Sequence, residues 1–316
     1  MTAPATAAPL APLGDDEGRL RLMSRLTVAY VLDAVAIARG DGHVLDTLLV
    51  SAIIQANVQE ISRRPDLHRA YAESDEIPPD DLRVPISINA LSSSLQIPFE
   101  TARRRVKGLV AEGMCRTVGG GVIVPAEVLQ RPHYYADAFR GFQRLQTFYY
   151  QLADLGLLRD LPASAAEPGA VFPIRAAARL VGAYMLRVVE DLAKIGDLLD
   201  ALILLEIFRS NVADWPADLA HSAPIPDDRR LPMAAQSLAV RLGVPYETAR
   251  RRVTALMEAG FCERVKGGLI VPARTLAGPR LRPALIDNAS NLHRLFAALS
   301  QLGVLKVWDE ARPLAG

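Results

Sequence analysis

The residues best suited to chemistry in this chain are two runs of arginine. Glu100-Thr101-Ala102-Arg103-Arg104-Arg105-Val106 recurs as Glu247-Thr248-Ala249-Arg250-Arg251-Arg252-Val253, 147 positions further on. A guanidinium is a planar fork of donors that pairs two-pronged with guanine O6 and N7 or with a phosphate, and a threonine hydroxyl serves either. On a helical wheel Ala102, Val106 and Leu109 share one apolar sector, with Phe99 and Val110 at its edge. Arg104 then lies nearly opposite, flanked by Glu100, Lys107, Arg103 and Thr101, while Arg105 borders the core on the other side. In the second run Ala249, Val253 and Leu256 face inward and Glu247, Thr248, Arg250 and Arg251 face outward. One face packs; the other offers cations and a hydroxyl near the helix N-terminus, the end that enters a major groove. Three arginines in a row on a single helix would equally read as a solvated face. Their retention in both runs, while Lys107/Thr254 and Arg116/Glu263 differ, favours a shared task.

The runs sit inside a longer internal similarity. Residues 83–129 align with 230–276 without a gap, and about half the positions are identical. Each copy begins with a short helical stretch, Ser87 to Leu95 or Ala234 to Leu242, closed by Gln-Ile-Pro or Gly-Val-Pro. Pro98 and Pro245 mark new helix starts, because a proline costs nothing in the first turn. The helices predicted there run from about Phe99 to Glu112 and from about Tyr246 to Ala259, and Gly113 and Gly260 stop them. Two β-prone runs around a glycine tip then read as a hairpin. Lys266 stands in the second tip, within reach of a phosphate; the first tip is Gly119-Gly120-Gly121.

Helix, turn, helix and hairpin make a winged helix-turn-helix. Leu242-Gly243-Val244-Pro245 followed by Tyr246 to Phe261 resembles the DNA-reading module of GntR-type bacterial transcription factors, with MarR-type and IclR-type readers as near relatives. The resemblance covers about 47 residues in each half; the helical remainder resembles no effector domain of those families. It implies a double-stranded DNA partner and a site made of Glu100, Thr101, Arg103, Arg104, Lys107, Glu247, Thr248, Arg250, Arg251 and Lys266. Proline stands where such modules usually carry serine at the helix start, and one chain holds two readers.

Weaker matches extend the similarity outward. Leu26, Tyr30, Asp46 and Asn57 correspond to Leu180, Tyr184, Asp200 and Asn211, and Leu145 and Leu152 to Leu292 and Leu299. The expected fold is therefore mainly α with small β-wings. It comprises two tandem repeats, each of two helices, a winged helix-turn-helix and a closing helix. The boundaries read as a disordered leader over 1–17, repeat 1 over 18–158, a linker over 159–172, repeat 2 over 173–305 and a C-terminal tail over 306–316. Within the connector 58–84, Arg63 to Leu67 and Asp75 to Asp81 read as loop. The long helices flanking each module read as a scaffold or homodimerisation face, with an effector pocket as the alternative.

Composition excludes several classes. With 50% apolar residues the chain can bury two ordinary cores, and two cysteines are too few for a disulfide framework, which points to a cytoplasmic protein; the resemblance to DNA readers implies a nucleoid-associated one. No apolar stretch approaches the roughly 20 residues that span a bilayer. Five scattered histidines lack metal-ligand spacing, and no hydrolase, nucleotide or dinucleotide fingerprint appears, so neither catalysis nor a cofactor is expected. The net charge of +1 divides into +3 and +5 on the two modules and −7 elsewhere, the footprint of basic readers on an acidic scaffold. Cys115 and Cys262 read as buried hydrophobes. One asymmetry stands out: the segment from His133 to Tyr150 holds over a third of the aromatics, while its counterpart keeps only Phe296. Tyr134, Tyr135, Phe139, Phe142 and Tyr149 are thus either core packing or a small-molecule effector site. A transcriptional regulator reading two half-sites as an internal pseudo-dimer is the function expected. A tandem winged-helix adaptor for chromosome segregation or replication initiation is the competing class.

Overall fold

The computed structural model describes residues 16–72, 77–164, 172–192 and 196–312. These residues are mainly helical, with two small two-stranded antiparallel sheets. In chain order the first half holds α1 (Asp16–Arg39), α2 (Val44–Asn57), α3 (Gln59–Arg63), α4 (Pro65–Ala70), α5 (Ile88–Ser94) and α6 (Phe99–Ala111). A hairpin of β1 (Arg116–Val118) and β2 (Gly121–Ile123) follows, then α7 (Ala126–Leu129) and α8 (Pro132–Asp154). The second half holds α9 (Ile174–Leu192), α10 (Leu198–Asn211), α11 (Ala235–Leu242), α12 (Tyr246–Glu258), β3 (Glu263–Val265), β4 (Gly268–Ile270), α13 (Ala273–Ala277), α14 (Arg282–Gln301) and α15 (Val304–Glu310).

Local chemistry explains the boundaries. Ser87 caps α5, its Oγ accepting from the Ala90 N–H at 3.1 Å, and Asp197 caps α10 by accepting from Leu199 and Asp200. Pro98 and Pro245 stand immediately before α6 and α12, extended, and their carbonyls accept the first helical hydrogen bonds. The turn between α5 and α6 needs a left-handed residue. Gly243 supplies it at φ +61 in the second half, whereas Gln96 must adopt φ +50 in the first. The hairpins share one register: Arg116 opposes Ile123, and Glu263 opposes Ile270.

Three stretches differ from the sequence-based expectation. Within 58–84, Arg63 ends α3 and Pro65 to Leu67 lie in α4, with Arg64 extended between them, because Pro65 starts a helix and does not break one; Asp75 and Glu76 lie outside the described residues. Asp16 and Glu17 open α1, so the helix begins inside the span read as leader, whose residues 1–15 lie outside the described ones. The C-terminal span is no simple tail up to Glu310, since α15 buries Trp308 to 4% exposure. Residues 165–171 of the linker lie outside the described residues.

Two apolar clusters hold the molecule together. The long helices α1, α8, α9 and α14, with α15, enclose Tyr30, Phe148, Tyr184, Phe296 and Trp308. Tyr30 stacks on Phe148 at 4.5 Å, and the buried Tyr184 hydroxyl donates to Asn288 Oδ1 at 3.0 Å. The second cluster runs from the α5–α6 module through α2 and α10 into the α11–α12 module, so both modules share one core. α1 packs along α8 and α9 along α14, yet α1 also touches α10 and α9 touches α2. The halves are thus interlocked through their long helices. No helix among the described residues is long and apolar enough to cross a membrane.

Candidate nucleic-acid interface

α6 and α12 are positioned by the same set of contacts. Ala102, Val106 and Leu109 are buried in one, and Ala249, Val253 and Leu256 in the other, as the wheel requires. The third arginine of each run is withdrawn from the surface into an ion pair. Arg105 Nη1 lies 2.9 Å from both carboxylate oxygens of Asp46 in the first turn of α2. Arg252 reaches Asp200 Oδ2 at 3.0 Å and also pairs with the α10 cap, Asp197. α6 and α12 are therefore each tied to the start of the helix behind them.

The hairpins are fixed by a buried asparagine. Asn57 Nδ2 donates to the carbonyls of Val84 and Val122, and its Oδ1 accepts from the Val124 N–H at 2.9 Å. Asn211 makes the same three bonds to Leu231, Leu269 and Val271. An aspartate completes the frame: Asp80 Oδ1 accepts from Arg83 Nε and the Ala126 N–H, and Asp227 Oδ1 accepts from Arg230 Nε and the Ala273 N–H. These bonds tie helix and wing into one frame, with Nη1 of Arg83 and of Arg230 buried beside it without a hydrogen-bond partner.

What remains outward is sharply divided. Arg103 pairs with Glu100 at 2.9 Å and Arg250 with Glu247 at 2.9 Å, both at the surface, where water screens such pairs and leaves them easily exchanged. Hydrogen bonding lowers the Glu100 carboxyl below its usual range and raises the Arg103 guanidinium. Arg104, Arg251 and Lys107 are exposed and make no hydrogen bond or ion pair among the described residues. Thr101 and Thr248 are half-buried beside them, and Lys266 is exposed at the second hairpin tip. All ten residues singled out in the sequence lie on the two α-helix faces or the tip. Phe99, which the wheel puts at the edge of the apolar sector, and its counterpart Tyr246 are the first residues of α6 and α12 and are 45% and 42% exposed. An aromatic at the same place in both copies is the signal that marks this position.

The aromatic segment splits three ways. Tyr149 is buried, its hydroxyl donating to Asp309 at 3.0 Å, and it packs on Phe296 and Trp308. Phe142 meets Phe172 edge-on at 4.9 Å; together with the half-buried Tyr134 it lines a cavity of about 360 Å³. Tyr135 and Phe139 are exposed, so the five residues do not form one site. Cys115 and Cys262 are buried just after α6 and α12, and burial pushes each thiol up to about 11. Comparison with protein-family models, with characterised proteins and with solved structures found no match.

Proposed function

We propose that this protein is a sequence-specific double-stranded DNA-binding transcriptional regulator. It would read two similar half-sites with α6 and α12, each the recognition helix of a winged helix-turn-helix. The observation that carries the reading is the division of labour among the arginines. In both runs the third is consumed by the scaffold, the first is loosely held by a surface glutamate, and the second is presented without a partner. A merely solvated face would give no reason for the same partition twice. Arg104 and Arg251 are the candidate guanine readers, Thr101 and Thr248 phosphate or base contacts, and Lys107 and Lys266 phosphate contacts.

The interlocked long helices support an internal pseudo-dimer of two tandem repeats, since each first helix touches the second helix of the other half. Selection of duplexes from a random pool tests the proposal. It should enrich a sequence with two similar halves, and no enrichment would count against it. The adaptor reading draws on one observation, the exposed Val84, Leu231, Val118 and Val265 at matching places on the two modules. An adaptor would bind DNA weakly and with little dependence on salt, whereas a regulator loses affinity steeply as salt rises.

A further inference from the structure

The two halves hold cavities at matching places, and these differ in charge. One, of about 480 Å³, lies between α1, α10 and the start of α14. The other, already described, lies between α9, α2 and the start of α8. Phe208, Val28 and Ala284 in the first wall stand where Ile54, Gly182 and Asp137 stand in the second. A volume of this size with an apolar lining is that of a small-molecule site.

The charged residues of the larger cavity are mostly cationic. Arg21, Arg25, Arg230 and Arg282 line it together with one carboxylate, Glu17. Glu17 pairs with Arg282 and Arg21; Arg230 pairs through Nε with Asp227, which does not line the cavity, and Arg25 donates only to the carbonyls of Trp215 and Pro216. Among the described residues that line the matching cavity, Asp137 alone is charged. The Arg230 side chain is 2% exposed, and its Nη1 is buried with no hydrogen-bond partner; Arg25 Nε is buried and unpartnered as well. Arg83 has the same orphan nitrogen in the first module, but it does not line a cavity there. A buried cationic donor left unsatisfied is costly, and an anionic acceptor relieves that cost.

We infer that the cavity bounded by α1, α10 and α14 binds an apolar small molecule carrying one carboxylate. The apolar body fills the space against Phe208 and Leu205, and the carboxylate lies toward Arg25 and Arg230. Because Val271 and Leu276 behind the second hairpin also form its wall, an occupant touches both scaffold and module.

Titration calorimetry on the full chain without DNA tests this independently of DNA reading. Decanoate and naphthoate are the probes, with decanol and naphthyl methanol as their uncharged controls. At least one acid should bind, and its alcohol should bind about tenfold or more weakly, the loss expected for one charge-assisted bond. Ala284→Trp should fill the cavity and abolish binding, while Ala138→Trp in the matching cavity should leave it unchanged. Arg25→Gln serves as a second variant should Ala284→Trp fail to fold, and it should weaken the acid but not the alcohol. The inference is overturned if neither acid binds at millimolar concentration, if acid and alcohol bind alike, or if Ala138→Trp alone removes binding.

Discussion

Arg105 Nη1 stands 2.9 Å from both carboxylate oxygens of Asp46, and Arg252 takes the same post against Asp200 at 3.0 Å. The last arginine of each run thus anchors α6 or α12 to the start of the helix behind it, and only its neighbours are left to face outward. Arg105→Ala should therefore cost roughly 1–2 kcal/mol of folding stability, because Asp46 loses its partner in a half-buried site. Arg104→Ala should stay within about 0.5 kcal/mol of the parent, as an exposed residue without contacts does. Urea unfolding of the two variants separates them; equal effects would remove the distinction between anchor and reader.

The asparagine clamps should be among the least replaceable residues. Asn57→Leu strands the Val84 carbonyl and the Val124 N–H beside the first hairpin, while the Val122 carbonyl keeps the Ile86 N–H; Asn211→Leu likewise strands the Leu231 carbonyl and the Val271 N–H. A loss of roughly 2–4 kcal/mol is expected for each, from the buried groups left unpaired. Thermal or urea unfolding checks it, and a loss below ~1 kcal/mol would show that water satisfies these groups instead.

Acidification should weaken the fold through His43. Its Nδ1 accepts from the Leu45 N–H at the start of α2, and Arg105 Nη2 lies 2.7 Å from its Nε2. Burial first, and the Arg105 charge second, hold its pKa below the ordinary value of 6.5; His68 is lowered likewise by burial and by Arg179. A depressed histidine is kept neutral by folding, so the unfolded chain takes the proton first. Stability should accordingly fall as pH drops through the ordinary value, and the fall should level off below the folded pKa. His43→Asn keeps a capping side chain. Unfolding curves above and below the ordinary histidine pKa should show a shallower loss for the variant; an identical loss would exonerate His43.

The two thiols should be silent in the native state. Cys115 and Cys262 are 4% and 1% exposed, and each thiol is pushed up to about 11, so little thiolate exists near neutrality. A chromogenic disulfide reagent should label neither residue before unfolding and both after it. Rapid labelling of native protein would show that the recognition helices open readily.

The helices α6 and α12, the hairpins and the shared Asn57/Asn211 position were legible in the sequence. A duplicated, gapless segment exposes its own apolar period and its own retained polar residues. The wheel placed Arg105 at the core edge but could not name Asp46, which lies 59 residues away and is chosen by packing. Short helices such as α3, α4 and α15 were missed because one or two turns carry too little period to register. α15 is held by tertiary burial of Trp308, not by local propensity. The arginine-lined cavity was invisible for a related reason. Arg21, Arg25, Arg230 and Arg282 come from distant parts of the chain, and only the crossing of the halves gathers them.

The central claim is that Arg104 and Arg251 read DNA. It is tested most directly by fluorescence anisotropy of a selected duplex with the parent, Arg104→Ala, Arg251→Ala and the double variant, each across a salt series. Each single change should weaken specific binding by roughly 1–3 kcal/mol, and affinity of the parent should fall steeply with salt. Binding that is unchanged in the double variant and flat with salt would contradict the account.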